Sequence, residues 1–221
     1  MQPLPHGYTN HTVGDGTVVH KTYAGPDARR RHARERLILG RLQGRVPVPP
    51  IHGAEDHGLR LGFVAGAHGQ DLIDAGHADA VLSACGATLR RIHTLDLNAG
   101  TRAERGKVLV HGDYGPNNVL LDPATFQVTA VLDWEFAHLG DAVEDLAWCE
   151  WIIRMHHPRH VEGLERFYAG YGVPAPPWPV RKAVMLARCR ELEDFTRRWA
   201  PDSDGVRQWR RRFATTSDWE E

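Results

Sequence analysis

The chain has 221 residues, enough for one large domain or for two small lobes around a single cleft. It is 42% hydrophobic and 25% charged with a formal net charge of −1, ordinary values for a soluble globular protein that give no electrostatic case for nucleic acid as a partner. No apolar run approaches the roughly 18 residues of a membrane span, the first residues lack a basic and apolar leader, and Cys85, Cys149 and Cys189 are far apart and odd in number. The expectation is a cytoplasmic protein with reduced thiols and no membrane partner.

Residues 1–64 read as a small antiparallel sheet with one helix, and residues 65–221 as a larger, mainly helical lobe, an α+β two-lobed architecture. Gly14-Asp15-Gly16 is a tight-turn signal that joins HTV to TVVHKTY, whose Val and Thr content suits a strand. Lys21 lies on that second strand with Val19 and Tyr23 on its face, and it is the only lysine in the first 106 residues. The pattern predicts a helix over 27–42, with Leu37, Ile38 and Leu42 in its apolar stripe, Pro26 at its opening and Gly44 beyond its end. Arg29 to Arg45 holds seven arginines and one carboxylate, Glu35. If Lys21 needs an ion-pair partner from this helix, Glu35 is the residue to supply it. The arginines themselves read as a solvated face.

Upstream, His6 to Asn10 reads as a turn, in which Gly7 permits a sharp bend and Thr9 and Asn10 offer polar groups. Prolines keep residues 46–50 extended. A strand over 59–64 then leads to Gly66, a candidate hinge. Val81, Leu82, Cys85, Leu89 and Ile92 recur at helical spacing within 77–95. Val108 to Val110 is a short strand, and Val119–Leu121 with Val128–Leu132 forms a hairpin. A helix over 141–155 opens with Asp141 and Glu144 in capping-box spacing. His156 to His160 is a local histidine cluster, read as a helix end broken by Pro158. Further helices over 159–171, 180–199 and 204–214 would wall a pocket. Glu191, Glu193 and Asp194 on the second of these fit either a cation-binding group or a solvated face.

The chemistry concentrates between these elements. HGDYGPNN runs from His111 to Asn118, and Asp133 follows Asn118 by fifteen residues in LDWE. An Asp, an Asn five residues later and a second Asp after an apolar run are the set that phosphoryl transfer from a nucleotide needs. Asp113 would orient and deprotonate a hydroxyl, while Asn118 and Asp133 would hold Mg²⁺ on the phosphates. Protein kinases space these groups similarly. Only eleven residues separate Asp133 from Asp145, too few for an activation segment, so the acceptor is expected to be a small molecule rather than a folded protein.

HGDYGPNNVLLD, followed by VLDWEFAHLGDAVEDLAW, closely resembles the aminoglycoside phosphotransferase and choline-kinase-like family. Tyr114 and Ala142 depart from its usual Leu and Pro, at positions that carry no catalytic group. The resemblance implies a protein-kinase-like fold with ATP or GTP as donor. It implies a Lys21–Glu35 pair at the phosphates, a nucleotide-positioning loop at Gly7, Thr9 and Asn10, and a bracing role for His111, Asp141 and Asp145. It also implies a kinase of a small-molecule hydroxyl, with an aminoglycoside-like antibiotic and hence antibiotic resistance first. A choline, sugar or other metabolite kinase and a non-catalytic nucleotide-binding protein are the alternatives. The sequence assigns no oligomeric state.

Overall fold

The computed structural model describes residues 1–3, 10–96 and 106–221. Its first sheet contains β1 (Gln2–Pro3), β2 (His11–Gly14), β3 (Val18–Thr22), β4 (Ile51–Glu55) and β5 (Gly58–Gly62), in the order β1-β2-β3-β5-β4. Every pairing is antiparallel. The β2–β3 turn forms where the sequence places it. Asp15 Oδ1 accepts the N–H groups of Thr17 and Val18 at 2.9 Å each, and Gly16 takes a φ of 86°, which a side chain would oppose. Lys21 thereby sits on the central strand of the sheet rather than at an edge.

Helix α1 (Ala28–Leu42) packs on this sheet through Ile38, Leu39 and Leu42. Leu37, expected in the same stripe, is 54% exposed. Arg31, Glu35, Ile38, Leu39 and Leu42 share the buried face at three- and four-residue spacing, and Leu37 falls off that line. Arg31 is itself only 2% exposed, so the arginine run is not simply a solvated face.

The second part holds a three-stranded sheet in the order β6-β8-β9, from Ala67–His68, Val119–Leu121 and Val128–Val131. A separate antiparallel pair joins β7 (Val108–Val110) to β10 (His138–Gly140). Around them stand α2 (Gly69–Asp74), α3 (Ala78–His93), α4 (Val143–His156), α5 (Leu164–Tyr171), α6 (Trp178–Trp199) and α7 (Asp204–Asp218). The five apolar residues read from the sequence of α3 are all fully buried. α3 and α5 approach closely because glycines face each other's backbone. A Cβ at Gly86 would collide with the Phe167 carbonyl oxygen and lie 2.7 Å from the Tyr171 nitrogen. A second core joins α4, α6 and α7, where Trp148 and Trp151 stack at 4.3 Å and Trp209 lies 5.8 Å from Trp151. The strands of the first sheet and the helices of the second part make a two-lobed α+β architecture, and among the described residues no helix is long and apolar enough to cross a membrane.

Candidate active site

β7 delivers the loop that begins at His111. Gly112 turns it with a φ of 84°, at a point where a Cβ would approach the Phe136 carbonyl oxygen to 2.8 Å. Asp145, one turn into α4 and fully buried, clamps the bend: its carboxylate accepts the N–H of His111 at 2.7 Å and of Gly112 at 2.9 Å. His93 Nε2 lies 3.1 Å away. Burial alone would raise the Asp145 pKa, but His93 and these hydrogen bonds hold it below its ordinary 3.8. Asp141, also expected to brace the loop, instead pairs with Lys107 at 2.7 Å on the surface. Its backbone forms the cap, the N–H donating to Glu144 Oε1 at 2.7 Å and the carbonyl accepting the Glu144 N–H at 2.9 Å.

His111 ties the loop to the strand that presents Asp133. Its Nδ1 accepts the Asp113 N–H at 3.2 Å. The ring proton is therefore assigned to Nε2, which donates to the Leu132 carbonyl at 2.8 Å. Asp113 is held from both sides, by Trp148 Nε1–H on Oδ1 at 2.8 Å and by Asn118 Nδ2 on Oδ2 at 2.9 Å. Asn118 Nδ2 also reaches the Asp113 carbonyl at 2.8 Å. Burial pushes the Asp113 carboxyl above 3.8, opposed chiefly by the charge of Arg188. A carboxylate that is more basic than usual, yet fixed in place, suits proton abstraction. Tyr114, the departure from the family wording, is fully buried and donates to the Cys85 carbonyl at 2.7 Å, a packing role.

Asp133 adopts a left-handed backbone, φ 68° and ψ 55°, which aims its carboxylate at Lys21, and the two form an ion pair. Lys21 Nζ also meets Glu35 Oε2 at 2.6 Å. Glu35 in turn accepts from Tyr23 Oη at 2.5 Å and from the Trp134 N–H at 3.3 Å. Burial disfavours the charge on Lys21, but Asp133 and Glu35 outweigh it and raise its pKa. For Asp133, burial is likewise outweighed, by Lys21, and its pKa falls below 3.8. Among the described residues, Glu35, Asp133 and Glu135 form a carboxylate group whose ligand atoms lie within 4.8 Å of one another. Asn118 gives its amide nitrogen to Asp113, which leaves its carbonyl oxygen for a cation. Oxygen donors from Asp133 and Asn118 on the wall of one cavity fit a hard divalent ion.

Two residues with no place in the sequence-based set complete the junction between the lobes. Glu135 is fully buried and accepts from Arg31 Nη1 at 2.8 Å and from Asn10 Nδ2 at 2.7 Å. Asn10 Oδ1 accepts from Arg31 at 3.2 Å. The Asn10 side chain is thus engaged at the junction, between the Arg31 guanidinium and the Glu135 carboxyl, whose pKa burial and Asp133 push up to about 7. Gly7 and Thr9 lie outside the described residues. Arg31 stands one turn before Glu35, a spacing that could have marked it, and Glu135 is the Glu of the LDWE segment.

Lys21, Glu35, Asn118 and Asp133 line a cavity of about 370 Å³ between the sheet and the second part. Val19, Leu61, Leu120 and Leu132 give it apolar walls, while Lys21, Asn118 and Asp133 gather at one side. That arrangement is suited to a flat base and a charged tail.

Fold and site together define a phosphotransferase of protein-kinase-like architecture. Residues 1–107 and 99–184 match the phosphotransferase enzyme family, and the chain belongs to that family. It superposes on the GDP and kanamycin complex of APH(2")-IIia with a TM-score of 0.74 at 13% identity, covering 98% of this chain and 92% of that one. For macrolide 2'-phosphotransferase MphH from Brachybacterium faecium the TM-score is 0.64 at 18% identity, covering 100% and 93%. At such identities the likeness establishes the fold. Two curated relatives match over short stretches. Acyl-CoA dehydrogenase family member 10 of Mus musculus is 48% identical over 40 residues, 18% of this chain and 4% of that protein. Family member 11 of Homo sapiens is 28% identical over 94 residues, 41% of this chain and 11% of that protein.

Proposed function

We propose that the chain transfers the γ-phosphoryl group of a purine nucleotide, ATP or GTP, to a hydroxyl of a small molecule. The observation that carries this reading is that Lys21, Asn118 and Asp133, from separate elements, line one cleft, with Asp113 hydrogen-bonded to Asn118 beside it. The acceptor hydroxyl gives its proton to Asp113 as its oxygen bonds to the γ-phosphorus, and the bond to the bridging oxygen breaks to release the nucleoside diphosphate. Trp148 and Asn118 keep the Asp113 carboxylate aimed at that proton. Lys21, aligned by Glu35, is the cation for the phosphates. Asn118 and Asp133 would hold Mg²⁺, which when bound neutralises phosphate charge. Residues 1–64 and 65–221 act as the two walls of the cleft.

The donor assignment is supported by relatives solved with GDP and with ADP. An aminoglycoside-like acceptor, and a role in resistance, has its support in relatives solved with gentamicin and kanamycin. A nucleotide-consumption screen of the purified chain against aminoglycosides, macrolides, sugars, hydroxy acids and amino alcohols tests the reading. We expect acceptor-dependent release of diphosphate, and Asp113→Asn should lower kcat by at least about 10²-fold with nucleotide affinity nearly unchanged. Nucleotide binding without turnover of any acceptor would favour the non-catalytic alternative, and wild-type turnover by Asp113→Asn would end the assignment of the base.

A further inference from the structure

We infer that the acceptor carries an anionic group, a phosphate or a carboxylate, bound between α1 and α6 by Arg188 and its neighbouring arginines; this rests on the phosphotransferase reading. A second cavity, of about 200 Å³, opens between these helices. Arg30, Arg31 and Arg34 from α1 and Arg188 and Arg198 from α6 line it, and Asp27 and Glu191 are the carboxylates among its lining residues. Arg31 is committed to Glu135, and Arg198 pairs with Asp27 at 2.9 Å. Arg188 pairs with Glu191 through one nitrogen, so the excess of positive charge rests on Arg30 and Arg34.

Arg188 is the centre of the argument. Its Nη1 donates to Glu191 at 3.0 Å. Its Nε and Nη2 are buried and have no hydrogen-bond partner among the described residues. Those two nitrogens form the side edge of the guanidinium, the planar fork that matches a carboxylate or phosphate with two parallel bonds. A buried donor pair without a partner is costly, and an oxyanion relieves it. The position is also functional. The guanidinium lies over the Phe136 ring, 5.0 Å from its centroid, and 5.9 Å from that of Trp148. Phe136 follows Asp133 by three residues, and Trp148 donates its N–H to Asp113. An anion on the free edge of Arg188 would leave the rest of the same molecule within reach of Asp113.

A polycationic acceptor finds less on this helix. Glu191 is paired with Arg188, Glu193 with Arg210 at 2.9 Å, and Asp194 with Arg197. The three acids read from the sequence as candidate amine ligands are thus neutralised within α6 and α7.

The test uses the full chain loaded with saturating Mg²⁺ and the non-hydrolysable analogue AMP-PNP, which occupies the nucleotide pocket. Tripolyphosphate and citrate are then titrated by calorimetry. We expect one of the two to bind, and which one binds separates a phosphate-bearing from a carboxylate-bearing acceptor. Arg188→Gln should weaken that binding at least about 10-fold, the loss of one charge-assisted pair. Arg188→Lys should weaken it as well, because a point charge lacks the fork. Arg30→Glu, on an exposed position that leaves the core untouched, should also weaken it. Retained AMP-PNP affinity shows that each variant is folded. If AMP-PNP binds and neither anion does, or if all three variants bind like wild type, the anionic-acceptor inference is overturned. If AMP-PNP itself fails to bind, the phosphotransferase reading beneath it falls instead.

Discussion

At the scale of single residues, the site is a set of charges that hold one another in place. Lys21 pairs with Glu35 and Asp133 at once, and this pairing outweighs burial to favour the charged forms of Lys21 and Asp133. A nucleotide with its metal ion brings both signs of charge to this arrangement, which sets an expectation for each partner. Asp133→Ala should abolish most of the magnesium dependence of nucleotide affinity, since a carboxylate is the strongest ligand the site offers to a hard cation. Calorimetric titrations of nucleotide with and without magnesium check this, and an equal metal effect in wild type and variant would remove Asp133 from the metal site. Asp113 differs in kind. Its two hydrogen bonds orient it, and burial raises its basicity, so its loss should appear in turnover and not in nucleotide binding.

At the scale of elements, the loop after β7 is placed by α4 rather than by its own residues. Asp145 holds two consecutive N–H groups of the bend, and Asp145→Asn keeps the shape but loses one acceptor and the charge. It should destabilise the protein by about 2–3 kcal/mol, the worth of hydrogen bonds to a buried charged group. The pH dependence has a definite sign. The Asp145 pKa is lower folded than its ordinary 3.8, so its contribution is fully present above that value. It is lost as pH falls through the lower, folded-state value. Thermal melts from about pH 3 to 7 should show a shallower acid loss in the variant than in wild type. The α3–α5 contact makes a second element-scale prediction. Gly86→Ala gains about 1 kcal/mol of helix propensity, yet its Cβ strikes a backbone carbonyl that cannot rotate away. Overpacking wins, and a net loss of about 1–3 kcal/mol should lower the denaturant midpoint.

At the scale of the whole molecule, the buried Arg31–Glu135–Asn10 network joins the first sheet and α1 to the segment that carries Asp133. Removing Arg31 leaves the buried Glu135 with only Lys21, 4.0 Å away, as a cation, so Arg31→Met should cost about 3 kcal/mol, the low end for breaking a buried pair. The effect has a specific signature. All seven tryptophans lie at or beyond residue 134, so fluorescence reports chiefly the second part, whereas far-ultraviolet circular dichroism reports both. In wild type the two transitions should coincide; in Arg31→Met the circular dichroism transition should broaden or begin earlier than the fluorescence one. Coincident transitions in the variant would mean that the lobes are coupled by something else.

Much of this molecule was legible in the sequence because its signals are local. The Gly14-Asp15-Gly16 turn with Val and Thr content marks β2 and β3, the helical period marks α3, and spacing makes Asp113, Asn118 and Asp133 the candidate set. Glu35 could be matched to Lys21 because it is the one carboxylate on an arginine-rich helix and because the family resemblance implies the pair. What failed had a common cause. Leu37 was placed in a buried stripe that runs one step away from it, and Arg31 was placed in solvent because its partner lies 104 residues off. The side chain of Asn10 closes the lobe junction on a partner 125 residues away. Arg188 had no motif at all, since only the packing of α6 against Phe136 and Trp148 brings it beside Asp113. The chemistry of the cleft was thus written by the sequence, through side chains set a few residues apart on the chain. The coupling of the lobes and the charge of the acceptor pocket were decided by the tertiary structure, because they arise from side chains that only packing brings together.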